Sequence, residues 1–167
     1  MSEEDIDAVA ALRVRCWRSA YARIIPQAFL DEMSADSDAR RRRAGFASSR
    51  GSVVDLVVVD EDDAPVGWVC FGPYRGETDA RAPGEIYALY IEPTLIGQGV
   101  GRTLLDAVHQ HVAARQFATL QLWVLRDNSR ARKFYATAGY AADGAVDSEM
   151  YGDTAVQELR YRRRITA

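Results

Sequence analysis

Gly97, Gly99 and Gly101 stand at alternate positions in "YIEPTLIGQGVGRTLL", residues 90–105, between an apolar stretch and a helical pattern that includes Leu104 and Leu105. Glycine costs roughly 1 kcal/mol relative to alanine inside a helix, so three at a helix mouth imply that something must come close to the backbone. Free amides and the helix dipole make such a turn an anion site, with phosphate the first candidate. Two nucleotide motifs can be tested. A Walker A loop needs Gly-Lys-Ser/Thr, whereas Gly101 is followed by Arg102 and Thr103 at the wrong spacing. A dinucleotide fingerprint needs glycine at position 102 and an acidic residue about 20 positions on; both are missing. His109 and His111 are two apart on a helix, point in different directions and make a poor metal pair, so they read as surface residues.

The elements around this turn follow from periodicity. Asp5 to Tyr21 reads as an amphipathic helix with Ile6, Val9, Leu12 and Cys16 near one stripe. Pro26 suits the first turn of a short second helix, and Ser34 or Asp36 can cap a third that runs to about Ser49. The pattern then turns β-rich. "SVVDLVVVD" and "PVGWVCFG" form a hairpin, "RGETDARAPG" a loop, and "EIYALYIEP" a strand stopped by Pro93. A helix from Gly99 to Arg115, the strand "ATLQLWVL" and a helix over "DNSRARKFYATAG" come next, the last capped at Asp127 or Asn128 and ended by Gly139. "GYAADGAV" and "AVQELRYRRRI" close the chain as paired strands. The order predicts a single α/β domain, residues 1–167, with a mixed sheet flanked by helices.

Two motifs in this frame resemble the GCN5-related N-acetyltransferase (GNAT) family. Its pyrophosphate loop, Arg/Gln-x-x-Gly-x-Gly/Ala behind a strand, matches Ile96-Gly97-Gln98-Gly99-Val100-Gly101, with Ile96 where the family has Arg or Gln. Its Asn and, seven residues on, Tyr match Asn128 and Tyr135, followed by Gly139 and Tyr140. The resemblance covers roughly residues 50–164, and the helical start "WRSAYARIIPQAFL" is similar to a common bacterial subgroup.

The resemblance implies an enzyme that moves an acetyl group from acetyl-CoA, without a metal, to a primary amine of a small molecule or peptide. It implies two splayed parallel strands, with pantetheine along Leu89, Tyr90 and Ile91. The pyrophosphate is then expected on the amides of Gly97, Gln98, Gly99, Val100, Gly101 and Arg102, and Asn128 and Tyr135 at the sulfur end. Tyr135 is the expected acid; read on residues alone it is a core tyrosine beside Phe134. Glu85 matches a base of the histone-acetylating branch and otherwise reads as an exposed strand-end carboxylate. The branch that acetylates protein N-termini has its glutamate where this chain has Trp123. Trp17 and Tyr21 share a helix face and, with Tyr87, are expected either to line the acceptor pocket or to pack in the core. The family's usual first strand has no counterpart before the first helix, which leaves the strand near 53–59 as an edge and favours a homodimer. The alternative is an idle acyl-CoA-binding or partner-binding module of the same fold.

Composition sets the outer bounds. The chain has 167 residues, 48% hydrophobic and 27% charged, enough for one domain with a substantial core. A net charge of −3 offers no basic surplus for nucleic acid, and no apolar run reaches the roughly 20 residues of a membrane span. The acidic N-terminus, unlike a signal peptide, argues for the cytoplasm. "ARRRRAG" and "RYRRR" read as a solvated helix face and a strand end rather than a nucleic-acid patch, with docking of a phosphorylated ligand as the alternative. Cys16 and Cys70, among apolar neighbours, read as buried free thiols.

Overall fold

The computed structural model describes residues 1–49, 51–75, 83–115 and 117–165, with the side chains of 47–49 not described. The loop expected over 75–84 therefore lies outside the described residues except at Arg75, Pro83 and Gly84. Three helices come first: α1 Ile6–Ala20, α2 Gln27–Glu32 and α3 Ala35–Ser49. α1 buries Ile6, Val9, Ala10, Leu12, Val14 and Cys16, the stripe its 3.6-residue period requires. Pro26 stands at the N-terminus of α2, where its missing N–H is no loss. Ser34 accepts from the Ser37 amide and helps start α3. The basic run on α3 is internally paired. Buried Asp38 accepts from Arg13 and Arg42 at 3.0 and 2.9 Å, Arg43 pairs with Asp7, and the Arg42 guanidinium lies 4.0 Å over the Trp68 ring.

The sheet has the order β1-β2-β3-β4-β6-β5. Its strands are β1 Val54–Val59, β2 Pro65–Pro73, β3 Gly84–Ile91, β4 Thr119–Leu125, β5 Ala141–Tyr151 and β6 Thr154–Arg164. Every pairing is antiparallel except β3 with β4. α4, Val100–Ala114, carries the chain across between those two parallel strands, and α5, Ser129–Thr137, joins β4 to β5. Among the described residues no strand precedes α1, and β1 forms the sheet edge as expected. The N-terminal amine covers part of that edge by donating to the Asp55 carbonyl at 3.2 Å.

Alternation divides the core between two faces. Val69 and Phe71 of β2 join Leu104, Leu105, Leu120, Leu122 and Tyr135 on the α4–α5 side. Trp68 and Cys70 turn to the α1 side with Val9, Leu12 and Cys16. The closing strands are longer than their sequence suggests. β5 continues through the polar stretch Asp147–Glu149 to Tyr151, because Gly144, at φ 92°, absorbs a register shift between Ala142 and Val146. No helix among the described residues is long and apolar enough to cross a membrane.

Candidate active site

The site begins where two strands separate. β3 and β4 pair only from Gly84–Ile86 to Leu120–Leu122. At that point β3 carries an extra residue, Tyr87, since Cys70 of β2 faces Ala88 and Phe71 faces Ile86. This bulge reverses the alternation of β3 and bends it away from β4. The gap opens a cavity of about 890 Å³ that reaches from the start of α4, past α5, to the end of α1.

At one end lies the glycine turn. Gly97 and Gly99 have φ of 88° and 92°, a left-handed backbone that suits glycine, and open space where a Cβ would stand. Gly101 has another role. A Cβ there would lie 2.6 Å from Ile91 Cδ1 and 3.3 Å from Phe134 Cζ, so this glycine lets α4 seat against β3 and α5. The expectation that all three glycines serve ligand approach is thus corrected for Gly101. The first helical bond from this turn is Thr103 N–H to Gly99 C=O at 3.0 Å, which leaves the amides of Val100, Gly101 and Arg102 aimed past the helix start. Arg102 lines the cavity and pairs with Asp106, whereas the Gln98 side chain turns back to the Thr94 carbonyl. Ile96, 39% exposed, adds no charge.

The middle of the cavity is the free edge of β3. Leu89, Tyr90 and Ile91 pair with β2 on one side and face the gap on the other. Opposite, Asn128 opens α5 by accepting the Ala131 amide at 3.1 Å. Tyr135, two turns on, is 8% exposed and packs edge-on against Phe134 and Tyr140, yet it lines the cavity. Among the described residues its hydroxyl makes no hydrogen bond. Burial, then the neighbouring Tyr90 hydroxyl, pushes its pKa well above the usual phenol range.

The far end is aromatic and acidic. Trp17 donates to the Tyr90 hydroxyl at 2.7 Å and meets the rings of Tyr21 and Tyr151 at 5.1 and 5.9 Å. Trp17, Tyr21 and Tyr87 thus both pack and line the cavity. Glu85 is 2% exposed, not a strand-end surface carboxylate. Its Oε1 accepts from the Arg75 guanidinium at 2.6 and 3.2 Å, and Oε2 accepts the Arg75 amide at 3.2 Å. Arg75 also lies 4.5 Å over the Tyr87 ring, whose hydroxyl donates to the Pro73 carbonyl. Burial and then Glu85 push the Tyr87 phenol up to about 12. Trp123 lines the cavity from β4.

Arg75, Tyr151 and Glu158 are among the lining residues that sequence reasoning missed. Glu158 sits in a polar strand where only the register, Leu125 opposite Glu158, reveals that it faces the gap. The surface reading of His109 is also corrected. The Arg163 guanidinium lies 3.0 Å from its Nδ1, and its Nε2 is 2.9 Å from the Tyr140 hydroxyl. Burial and Arg163 lower its pKa to about 4. Cys16 is buried and donates to the Ile91 carbonyl; burial pushes it up to about 12. Cys70 is only half-buried.

A bulged, splayed strand pair beside free amides at a glycine-rich helix start defines a class, and sequence comparison agrees with it. The model of the Acetyltransferase (GNAT) family matches residues 7–140. The chain belongs to that family, and its enzyme class is N-acetyltransferase. It is 30% identical over 125 residues to the uncharacterized N-acetyltransferase YuaI of Bacillus subtilis, covering 75% of this chain and 69% of that one. To an uncharacterized N-acetyltransferase of Archaeoglobus fulgidus it is 32% identical over 83 residues, 49% of this chain and 56% of the relative. Its fold matches the PaiA N-acetyltransferase of Thermoplasma acidophilum, solved with coenzyme A, at a TM-score of 0.75 and 16% identity over 98% of this chain and 95% of that one.

Proposed function

We propose that this protein transfers an acetyl group from acetyl-CoA to the primary amine of a small molecule or peptide, by direct attack in a ternary complex. One observation carries the reading: a single cavity joins unclaimed helix-start amides, a free strand edge, the unpartnered Tyr135 hydroxyl and an aromatic, acidic far end. The coenzyme A bound by the Thermoplasma protein of the same fold supports it.

The residues fit acetyl-CoA in order. The amides of Gly97 and of Gly99 to Arg102 would hold the pyrophosphate, the helix dipole compensating for Ile96, while the Gln98 amide is taken by the Leu95 carbonyl at 3.2 Å. The edge at Leu89, Tyr90 and Ile91 would hold the pantetheine, and an amide on that edge would stabilise negative charge on the reacting carbonyl oxygen. Acetyl-CoA supplies the activated acetyl group. Tyr135 donates a hydrogen bond to the departing sulfur. Because its pKa lies far above the roughly 8.5 of a thiol, it stays protonated throughout and acts chiefly as a donor. Asn128 holds the start of α5 and so sets the position of Tyr135.

Coenzyme A titration of the native protein, followed by thiol release from acetyl-CoA over a panel of primary amines, tests the reading. Binding without turnover on any amine would favour an idle acyl-CoA-binding module. Two free thiols support a reducing, cytoplasmic setting. We also propose a homodimer. The open β5 edge, with Val146 and Met150 54% and 57% exposed, supports it. Light scattering that gives only an 18.5 kDa species at tens of micromolar would refute it.

A further inference from the structure

We propose that Glu158 receives the acceptor ammonium and takes the first proton it sheds, while Glu85 serves to hold Arg75. The assignment rests on the acetyl-transfer reading and names the group that prepares its nucleophile.

Three carboxylates line the cavity: Asp127, Glu85 and Glu158. Asp127 is exposed just before α5, at the cofactor end. Glu85 has both oxygens engaged by Arg75, and the guanidinium is fixed in turn over Tyr87. Glu158 is different. Half-buried on β6, it makes no hydrogen bond among the described residues. It stands opposite Leu125, at the end of β4 where β3 has already parted from it.

The surroundings select a cation. Asp147 of β5 lies directly across from Glu158, an arrangement of like charges that weakens a strand pair. Glu149 adds to the same field, and Arg75 opposes it from the end of β2. Burial first, then Glu149 and Asp147, raises the Glu158 pKa, which makes it a stronger base than an exposed glutamate. Tyr151 supplies a second, independent observation. It is 7% exposed, lines the cavity and has a hydroxyl without a partner among the described residues. The charge of Glu158 raises its pKa after burial does, which places the two groups near each other. Trp17, Tyr21 and Tyr151 give aromatic walls that favour an ammonium ion.

The proton account closes. R–NH3⁺ gives one proton to the Glu158 carboxylate, and the freed lone pair forms the C–N bond. The C–S bond breaks, and the second nitrogen proton, lost as the amide forms, ends on sulfur. Glu158 then returns its proton to solvent. The sum is thioester plus ammonium giving amide, thiol and one proton.

The test compares native protein, E158Q, E158D and E85Q by thiol release from pH 6 to 10. The acceptors are primary amines of pKa about 10 and about 8, and coenzyme A affinity is measured in parallel. For the more basic amine, E158Q is expected to lose about 10²-fold in kcat/KM near pH 7 and to recover most of it by pH 9 to 10, where solvent supplies neutral amine. For the weaker base the loss is expected to be under about fivefold. E158D keeps the native pH profile at a lower rate, and E85Q loses activity evenly at every pH. Coenzyme A affinity stays native, and E158Q is at least as heat-stable as native because a repulsion is gone. An E158Q profile parallel to the native one, or pH recovery in E85Q instead, overturns the assignment alone. A native protein that binds coenzyme A and turns over no amine overturns the acetyl-transfer reading and this assignment with it.

Discussion

Tyr135→Phe separates chemistry from packing because the structure predicts opposite consequences for the two. The ring is 8% exposed and held edge-on by Phe134 and Tyr140 at 5.1 and 5.8 Å, contacts that phenylalanine keeps. The hydroxyl has no hydrogen-bond partner among the described residues and opens on the cavity, so its removal breaks no bond and leaves no buried polar group unpaired. Stability should therefore hold to within about 1 kcal/mol. In the proposed reaction the same hydroxyl faces a sulfur that gains negative charge, and a hydrogen bond to a charged group contributes roughly 1.5–3 kcal/mol. At about 1.36 kcal/mol per factor of ten, kcat should fall by one to two orders of magnitude. The acetyl-CoA KM should stay near native, because the bond strengthens only as charge develops. Steady-state thiol release gives kcat and KM, and thermal unfolding gives stability. An unchanged kcat would show that the hydroxyl does no chemistry. A raised KM at unchanged kcat would place it in ground-state binding instead. A large loss of stability would return Tyr135 to a purely structural role.

The glycine turn should respond by position: Gly99→Ala forces an L-residue to φ 92° at about 1–2 kcal/mol and should weaken coenzyme A binding by titration. Gly101→Ala instead pushes a methyl against Ile91 and Phe134, so the roughly 1–3 kcal/mol of overpacking should outweigh the roughly 1 kcal/mol gained in helix propensity, read as a lower denaturant midpoint. For His109, a folded pKa of about 4 against the ordinary imidazole value of 6.5 means that the unfolded chain binds more protons between those values. Its contribution is thus fully present above pH 6.5 and lost as pH falls toward 4, about 1–2 kcal/mol after discounting for a half-exposed ring. Urea unfolding should show a steeper acid decline in native protein than in His109→Gln between pH 6.5 and 5, and parallel curves would refute it.

Much of the outline was legible in the chain itself. The 3.6-residue stripe of α1, Pro26, the Asn128 cap and the β-rich runs each act within a few residues, so local physics sufficed to place them. The glycine turn and the Asn128–Tyr135 interval are local patterns too, and Gly97, Gly99, Asn128 and Tyr135 all line the cavity. What the sequence could not show depends on register. Whether Glu158 faces solvent or the cavity turns on one residue of pairing with β4, and the side-chain period of two makes either face equal from sequence alone. Buried Glu85 of β3 pairs with exposed Arg75 just beyond β2, a contact ten residues apart in sequence, and the bulge at Tyr87 exists only relative to β2. Gly101 looked like its two neighbours until Ile91 and Phe134 closed around it, because a clash with a distant side chain leaves no trace in local composition.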